Sequence, residues 1–204
     1  MEKSNGVITF KSSCIERFAQ VTERVRELIA TDAERILIAI DGKCASGKTT
    51  LGFYLKQEFD GNLFHLDDFF LQKEQRTESR LNEIGGNVDY ERFRAEVIEP
   101  ILAGESVKYR PFSCKTLELG ECIDVMPKRV SIIEGSYSQH EYFGDIYDIK
   151  VFMEIDEDKQ IENIRMRNGE EQLEVYKNRW IPKEEAYFKA FQIREKSDII
   201  VNWK

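Results

Sequence analysis

One short run constrains this chain more than any other: Gly42-Lys43-Cys44-Ala45-Ser46-Gly47-Lys48-Thr49. It matches the pattern GxxxxGK[ST] at every defined position, and an accidental match in a chain of this length has odds of roughly 1 in 100. Its surroundings fit as well. The apolar stretch Ile36-Leu37-Ile38-Ala39-Ile40 stops just before it, and Thr50-Leu51-Gly52-Phe53-Tyr54-Leu55 opens a helical pattern just after it. Glycines let such a loop curl so that successive N–H groups converge on phosphate oxygens, and the following helix adds its positive N-terminal end. The segment from Gly42 to Thr50, with Ser46 and Gly47 at its bend, is therefore the candidate binding site for the phosphates of ATP. Lys48 would reach the β and γ phosphates, and the Thr49 hydroxyl would face Mg²⁺, which prefers oxygen donors. Beside the helix N-terminus and Lys48, the Cys44 thiolate is expected to be favoured, making it the most reactive cysteine.

The rest of the chain supplies a matching scaffold. A strand over Val7–Phe10 is followed by an amphipathic helix carrying Ile15, Phe18, Val21, Val25, Leu28 and Ile29. Further strands are expected at Asn62–Leu66, Val130–Ile133, Ile149–Ile155 and Asp198–Val201. Between them lie helices at about 48–58, 91–103 and 157–191, the last interrupted at Pro182. This alternation indicates an α/β fold with a doubly wound parallel sheet, read as one domain over 1–204. Between Val107 and Met126 two polar-apolar arms flank Leu119-Gly120-Glu121, which reads as a hairpin turn in a flap standing off the sheet.

Composition narrows the partners. With 41% apolar residues the chain can build a core, and 38 acidic against 30 basic residues repel a nucleic acid or membrane surface on average. Cys14, Cys44, Cys114 and Cys122 form no CxxC pair and no zinc spacing with His65 or His140, which fits free thiols in a reducing compartment. No apolar run reaches the ~18 residues of a membrane span, so a cytoplasmic protein is expected, with a small-molecule partner. The sequence leaves self-association, including a homo-oligomer, open.

Acidic residues close three of the expected elements. Asp67-Asp68-Phe69-Phe70 follows the strand after the loop, Gly86-Asn87-Val88-Asp89-Tyr90 precedes a helix, and Ile132-Ile133-Glu134-Gly135 ends another strand. Carboxylates at the carboxyl ends of parallel strands sit where open α/β sheets bind ligands. Each also has a plainer reading. Asp67 and Asp68 could be solvated, Asp89 could cap its helix, and Glu134 could orient Thr49 or pair with Lys48.

Taken with the loop, these segments resemble the uridine kinase family and its relatives, the nicotinamide riboside kinases, pantothenate kinases and phosphoribulokinases, over about residues 36–201. The resemblance implies a P-loop NTPase fold with a core sheet of about five strands, an acceptor flap at about 104–126 and a lid at about 157–180. It implies ATP-dependent phosphoryl transfer to the 5′-hydroxyl of a nucleoside such as uridine or cytidine. The alternatives are another small alcohol (nicotinamide riboside, pantothenate or a sugar phosphate) or a nucleotide-dependent switch. Asp67 would be the general base, Asp89 would hold the ribose hydroxyls, and Glu134 with Thr49 would face Mg²⁺. Arg167 and then Arg165, in Ile164-Arg165-Met166-Arg167-Asn168-Gly169, would act on the transferring phosphoryl group. The family's flap carries P-x-Y-D-F and a His that reads the pyrimidine. This flap reads Tyr109-Arg110-Pro111-Phe112-Ser113-Cys114-Lys115, without His. Tyr109 and Phe112 could stack on a substrate ring, or form the flap's own small core.

Overall fold

The apolar run before the loop becomes strand β3 (Ile36–Gly42), every residue of which is buried. It is continuously apolar because both of its faces are covered. Ile36, Ile38 and Ile40 pack on one side and Leu37 on the other, following the two-residue period of a strand. The computed structural model describes residues 2–4 and 7–203.

Ahead of β3, strands β1 (Glu2–Ser4) and β2 (Val7–Thr9) pair antiparallel as a separate ribbon, and helix α1 (Ser12–Ile29) follows. The expected stripe of α1 holds at Phe18, Val21 and Val25, all fully buried, whereas Ile15 lies half open to solvent. Helix α2 (Lys48–Glu58) leaves the loop and leads to strand β4 (Asn62–His65) and a 3-10 turn over Leu66–Phe69. The remaining core strands are β9 (Val130–Glu134), β10 (Ile149–Ile155) and β11 (Ile199–Trp203). All five are parallel, in the order β11-β10-β3-β9-β4. Because β9 lies between β3 and β4, the chain reverses its direction of winding there, and a crevice opens at the carboxyl ends.

Helices cover both faces. On one, α1 and α2 contribute Phe18, Val21, Val25, Leu51 and Leu55. On the other, Phe93, Val97, Ile98, Tyr187 and Phe188 pack over Phe64, Ile133 and Phe152. Before this second layer come a short helix α3 (Glu78–Asn82) and then α4 (Tyr90–Phe93), which runs through a π turn (Arg94–Ile98) into α5 (Glu99–Ala103).

The segment expected as a lid comprises α6 (Glu157–Asn168), α7 (Glu170–Val175) and a π turn (Tyr176–Trp180), and α8 (Ile181–Phe191) and α9 (Ile193–Lys196) follow it. Both π turns stop two residues before a proline, Pro100 or Pro182. A proline lacks its N–H and its ring crowds the carbonyl four residues earlier, so a locally widened turn lets the helix continue. Pro182 thus widens the helix rather than ending it.

The segment expected as a flap forms two short ribbons. Strand β5 (Val107–Tyr109) pairs with β8 (Ile123–Val125), and β6 (Phe112–Ser113) pairs with β7 (Glu118–Leu119). The expected turn at Leu119-Gly120-Glu121 is displaced. The tip lies between Ser113 and Glu118, where the Leu117 N–H donates to the Ser113 carbonyl at 2.7 Å, while Gly120 lies back against Pro111.

Candidate active site

The loop after β3 adopts the phosphate-binding shape before any ligand is considered. Gly42 and Gly47 have φ of 125° and 92°, a region only glycine enters without strain, and a Cβ on Gly42 would lie 2.3 Å from the Met153 carbonyl oxygen. The Lys48 ammonium donates to the carbonyls of Gly42 at 2.6 Å and Lys43 at 3.0 Å, so it is held over the loop. Neighbouring helices fix the outer rim. Gln160 donates to the Cys44 carbonyl at 3.1 Å and Asn163 to the Ala45 carbonyl at 3.1 Å, both from one face of α6. From α8, the Glu184 carboxylate accepts the Cys44 N–H at 2.9 Å and the Ser136 hydroxyl through its other oxygen.

A cleft of about 840 Å³ opens above the loop. Residues 44–50 form its floor, Asp67, Phe70 and Asn87 one wall, and Glu134, Ser136 and Tyr137 its back. Asn163, Met166 and Arg167 of α6 lie opposite, with Tyr176 and Trp180 of the π turn and Glu184 of α8 further along. The sheet register explains the grouping. Glu134 stands beside Ile40 on one side and His65 on the other, so the ends of β3, β9 and β4 meet. The Thr49 hydroxyl lies 3.2 and 3.3 Å from the two Glu134 oxygens, and His65 Nδ1 lies 2.5 Å from one of them. Burial works against a charged His65 ring, but the Glu134 hydrogen bond and the carboxylates of Glu134, Asp68 and Asp67 outweigh it and raise its pKa.

The 3-10 turn after β4 separates the two aspartates. Asp67 opens into the cleft, whereas Asp68 is half-buried next to the Tyr109 hydroxyl and is absent from the cleft wall. Enclosure by protein raises the Asp67 pKa, helped by Glu134 and Glu184 and opposed by Lys48 and His65. Helical phase separates the arginines in the same way. Arg167 lies four residues from Asn163 on the cleft face, with its guanidinium 3.3 Å from the Tyr176 hydroxyl. Arg165 projects outward and pairs with Glu170 at 2.7 Å, so of the two arginines only Arg167 meets the cleft.

Several other sequence expectations require correction. Lys43 turns away from the cleft, its ammonium bridging Glu154 at 3.1 Å, and Gly42 lies beneath the loop. Asp89 is 2% exposed and does not line the cleft. One oxygen accepts the Arg92 N–H at 3.0 Å, capping α4, and the other accepts from Gln75 at 2.7 Å. Tyr109 and Phe112 are buried in the base of the flap, Tyr109 stacked on Phe69 at 5.3 Å and Phe112 under Arg76. A flap this short buries its aromatic residues before it can offer them to a ligand.

Cys44 is also corrected. Its side chain is buried, and burial together with the nearby Glu184 carboxylate pushes the thiol up to about 12. All four cysteines are free, and Cys114 and Cys122 are exposed. Alkylation of the native protein should therefore modify Cys114 and Cys122 first and Cys44 last, a ranking that peptide mapping after timed iodoacetamide treatment would reverse if the loop thiol were activated.

The sequence reading passed over Asp41, which is wholly buried at the end of β3. It accepts from the Gly42 N–H at 2.7 Å, the Gln139 N–H at 3.0 Å and the Tyr187 hydroxyl at 2.7 Å, tying the base of the loop to α8. Desolvation outweighs these bonds and Lys48, raising its pKa from 3.8 to about 6. Below the unfolded value both states are protonated. Between about pH 4 and pH 6 the unfolded chain binds fewer protons, so stability falls with rising pH, by about 3 kcal/mol in all. Urea unfolding at about pH 4.5 and about pH 6.5 should show wild type losing stability relative to Asp41→Asn across that interval. A pH-independent difference between the two proteins would contradict it.

Among the described residues no group of three or more His, Cys, Asp and Glu could hold a metal unaided. The Thr49 hydroxyl and Glu134 carboxylate are nonetheless the hard oxygen donors that suit Mg²⁺ arriving with a nucleotide. No helix among the described residues is long and apolar enough to cross a membrane.

No family profile matches the chain, and no curated protein does. Solved structures do. A possible uridine kinase from Bacillus stearothermophilus superposes with a TM-score of 0.68 at 19% identity, covering 92% of this chain and 98% of that one. A candidate fructose transport system kinase from Silicibacter sp. TM1040 gives 0.68 at 20%, covering 90% and 98%. D-glycerate 3-kinase from Cryptococcus neoformans gives 0.59 at 16%, covering 87% and 88%. The chain has the fold of a P-loop kinase. Within that fold it is similar to a uridine kinase-like structure and to kinases named for other small alcohols.

Proposed function

We propose that this chain is an ATP-dependent kinase that transfers the γ-phosphoryl group to a hydroxyl of a small molecule. One observation carries the reading: the phosphate loop with Lys48 and an open carboxylate, Asp67, share a single cleft. A slow hydrolytic switch has no need of that second wall. In the proposed reaction Asp67 orients the acceptor hydroxyl and accepts its proton, while Lys48 and Arg167 offset charge on the phosphates. Bound Mg²⁺, held by Thr49 and Glu134, would neutralise charge on the β and γ oxygens. The work of such a site is positioning and electrostatics within one domain, with the lid and flap closing over it.

A nucleoside remains the first acceptor to test, on the likeness to the uridine kinase family. The enclosure of Asp89, Tyr109 and Phe112 favours a second reading, a kinase for a different small alcohol, because none of these residues meets the cleft. A cytosolic setting with free thiols belongs to the same proposal. The test is coupled ADP release with ATP and Mg²⁺ over nucleosides, vitamins and sugars. Acceptor-dependent release supports a kinase, and equal release with water alone would turn the reading towards the switch.

A further inference from the structure

We propose that the acceptor half of the cleft, walled by Asp67, Asn87, Ser136 and Glu184, selects a neutral or positively charged polyhydroxy alcohol and excludes acceptors bearing a carboxylate or phosphate. This rests on the kinase reading and names the substrate class for the same cleft. Three observations carry it.

The first is Glu184, a buried carboxylate on the cleft wall whose oxygens are held by the Cys44 N–H and the Ser136 hydroxyl. Those bonds fix its position at the cleft. From there Glu184 faces Asp67 across the cleft and, after burial and Glu134, helps raise the aspartate's pKa. The second is Asn87, 8% exposed on the wall that carries Asp67, whose Oδ1 has no hydrogen-bond partner. That oxygen has almost no accessible surface, so a donor from the ligand would reach it only with a small turn of the amide towards the cleft. Two carboxylates and this amide oxygen together ask for O–H or N–H groups. An anion would add like charge and offer no proton.

The third observation is where the positive charge lies. Lys48 and Arg167 are the cationic side chains lining the cleft among the described residues, on its loop and its lid helix, where ATP phosphates would engage them. The cations on neighbouring segments do not line the cleft. Arg92 donates to the Asp68 and Arg110 carbonyls and pairs with Glu96. Arg76 donates to the Leu71 carbonyl and lies over Phe112, and Lys183 donates to the Leu81 carbonyl. His65 sits against Glu134, on the metal side. Arg179, which also lies outside the cleft lining, is over the Trp180 ring.

Two measurements test this. In the ADP-release screen, matched acceptors differing only in an acid group should separate, with pantothenol above pantothenate and glycerol above glycerate by about tenfold or more in kcat/KM. Glu184→Gln, which keeps an oxygen for the Cys44 N–H, should narrow the gap. An anionic compound as the best acceptor would overturn the inference.

The second measurement needs no turnover. In a chain with Cys14, Cys114 and Cys122 changed to serine, Phe70→Cys places a thiol on the acceptor wall. Its modification by a cationic methanethiosulfonate should outpace that by an anionic one by about tenfold, after each rate is divided by that for the urea-unfolded chain. Adding Glu184→Gln should reduce the ratio. Equal rates, or a preference for the anionic reagent, would refute the charge assignment even where no acceptor is phosphorylated. A preserved ratio with no turnover would instead reject the kinase reading alone.

Discussion

Lys48→Ala should lower kcat by a factor on the order of 10² or more while leaving the fold intact. In the structure the Lys48 ammonium is bonded to the carbonyls of Gly42 and Lys43, so removing it frees two backbone acceptors of the loop and opens no cavity in either core layer. The loss falls on the transition state, in which charge builds on the oxygens between the β and γ phosphates. Both tryptophans of the chain, Trp180 and Trp203, line the cleft, so their fluorescence reports nucleotide binding without turnover. Titration with MgADP should show weaker but measurable binding by the variant, and thermal unfolding should stay close to wild type. Near-normal turnover by Lys48→Ala would remove the loop from the chemistry altogether.

How much of this was legible in the sequence follows from how local each determinant is. The phosphate loop could be read because its conformation depends on its own glycines, and Ile36–Ile40 because a strand buried on both faces has to be apolar throughout. The contrast between Asp67 and Asp68 and that between Arg167 and Arg165 each depend on position around one helical turn, which the order of residues alone does not show; the fold brings Asp67 and Arg167 to the cleft. Glu184 and Tyr187 were missed for the opposite reason. They lie more than 130 residues from the loop they brace, and in sequence they are an acid and an aromatic on an unremarkable helix. Asp41 was passed over because the partner that encloses it, Tyr187, comes from the same distant helix. Asp89 shows the limit of motif matching. The same residue type suits a ribose diol and a helix N-cap, and the contact with Gln75 that decides between them comes from a segment without a sequence signal.

Asp67→Asn should cost ~10² to 10⁴ in kcat, as loss of a general base generally does, with MgADP affinity almost unchanged. The asparagine keeps the shape and can still accept a hydrogen bond from the acceptor hydroxyl, but it cannot take the proton. Asp68→Asn is the internal control. Asp68 faces Tyr109 and His65 rather than the cleft, so its replacement should leave most of the rate. The pH dependence gives a second handle. Asp67 must be ionised to act as a base, and its enclosure, with Glu134 and Glu184 nearby, raises its pKa above the ordinary 3.8. Activity should therefore fall on the acid side at a pH higher than an exposed aspartate would give, and Asp67→Asn should lose that limb along with the rate. The direction is fixed by the sign of the shift: a raised pKa keeps the base protonated, and so inactive, to higher pH. The measurement is kcat/KM across about pH 4 to pH 8 for wild type and both variants, with the acceptor found in the ADP-release screen. An active Asp67→Asn beside an inactive Asp68→Asn would transfer the base to the neighbouring residue, and would require the 3-10 turn after β4 to rotate when the acceptor binds.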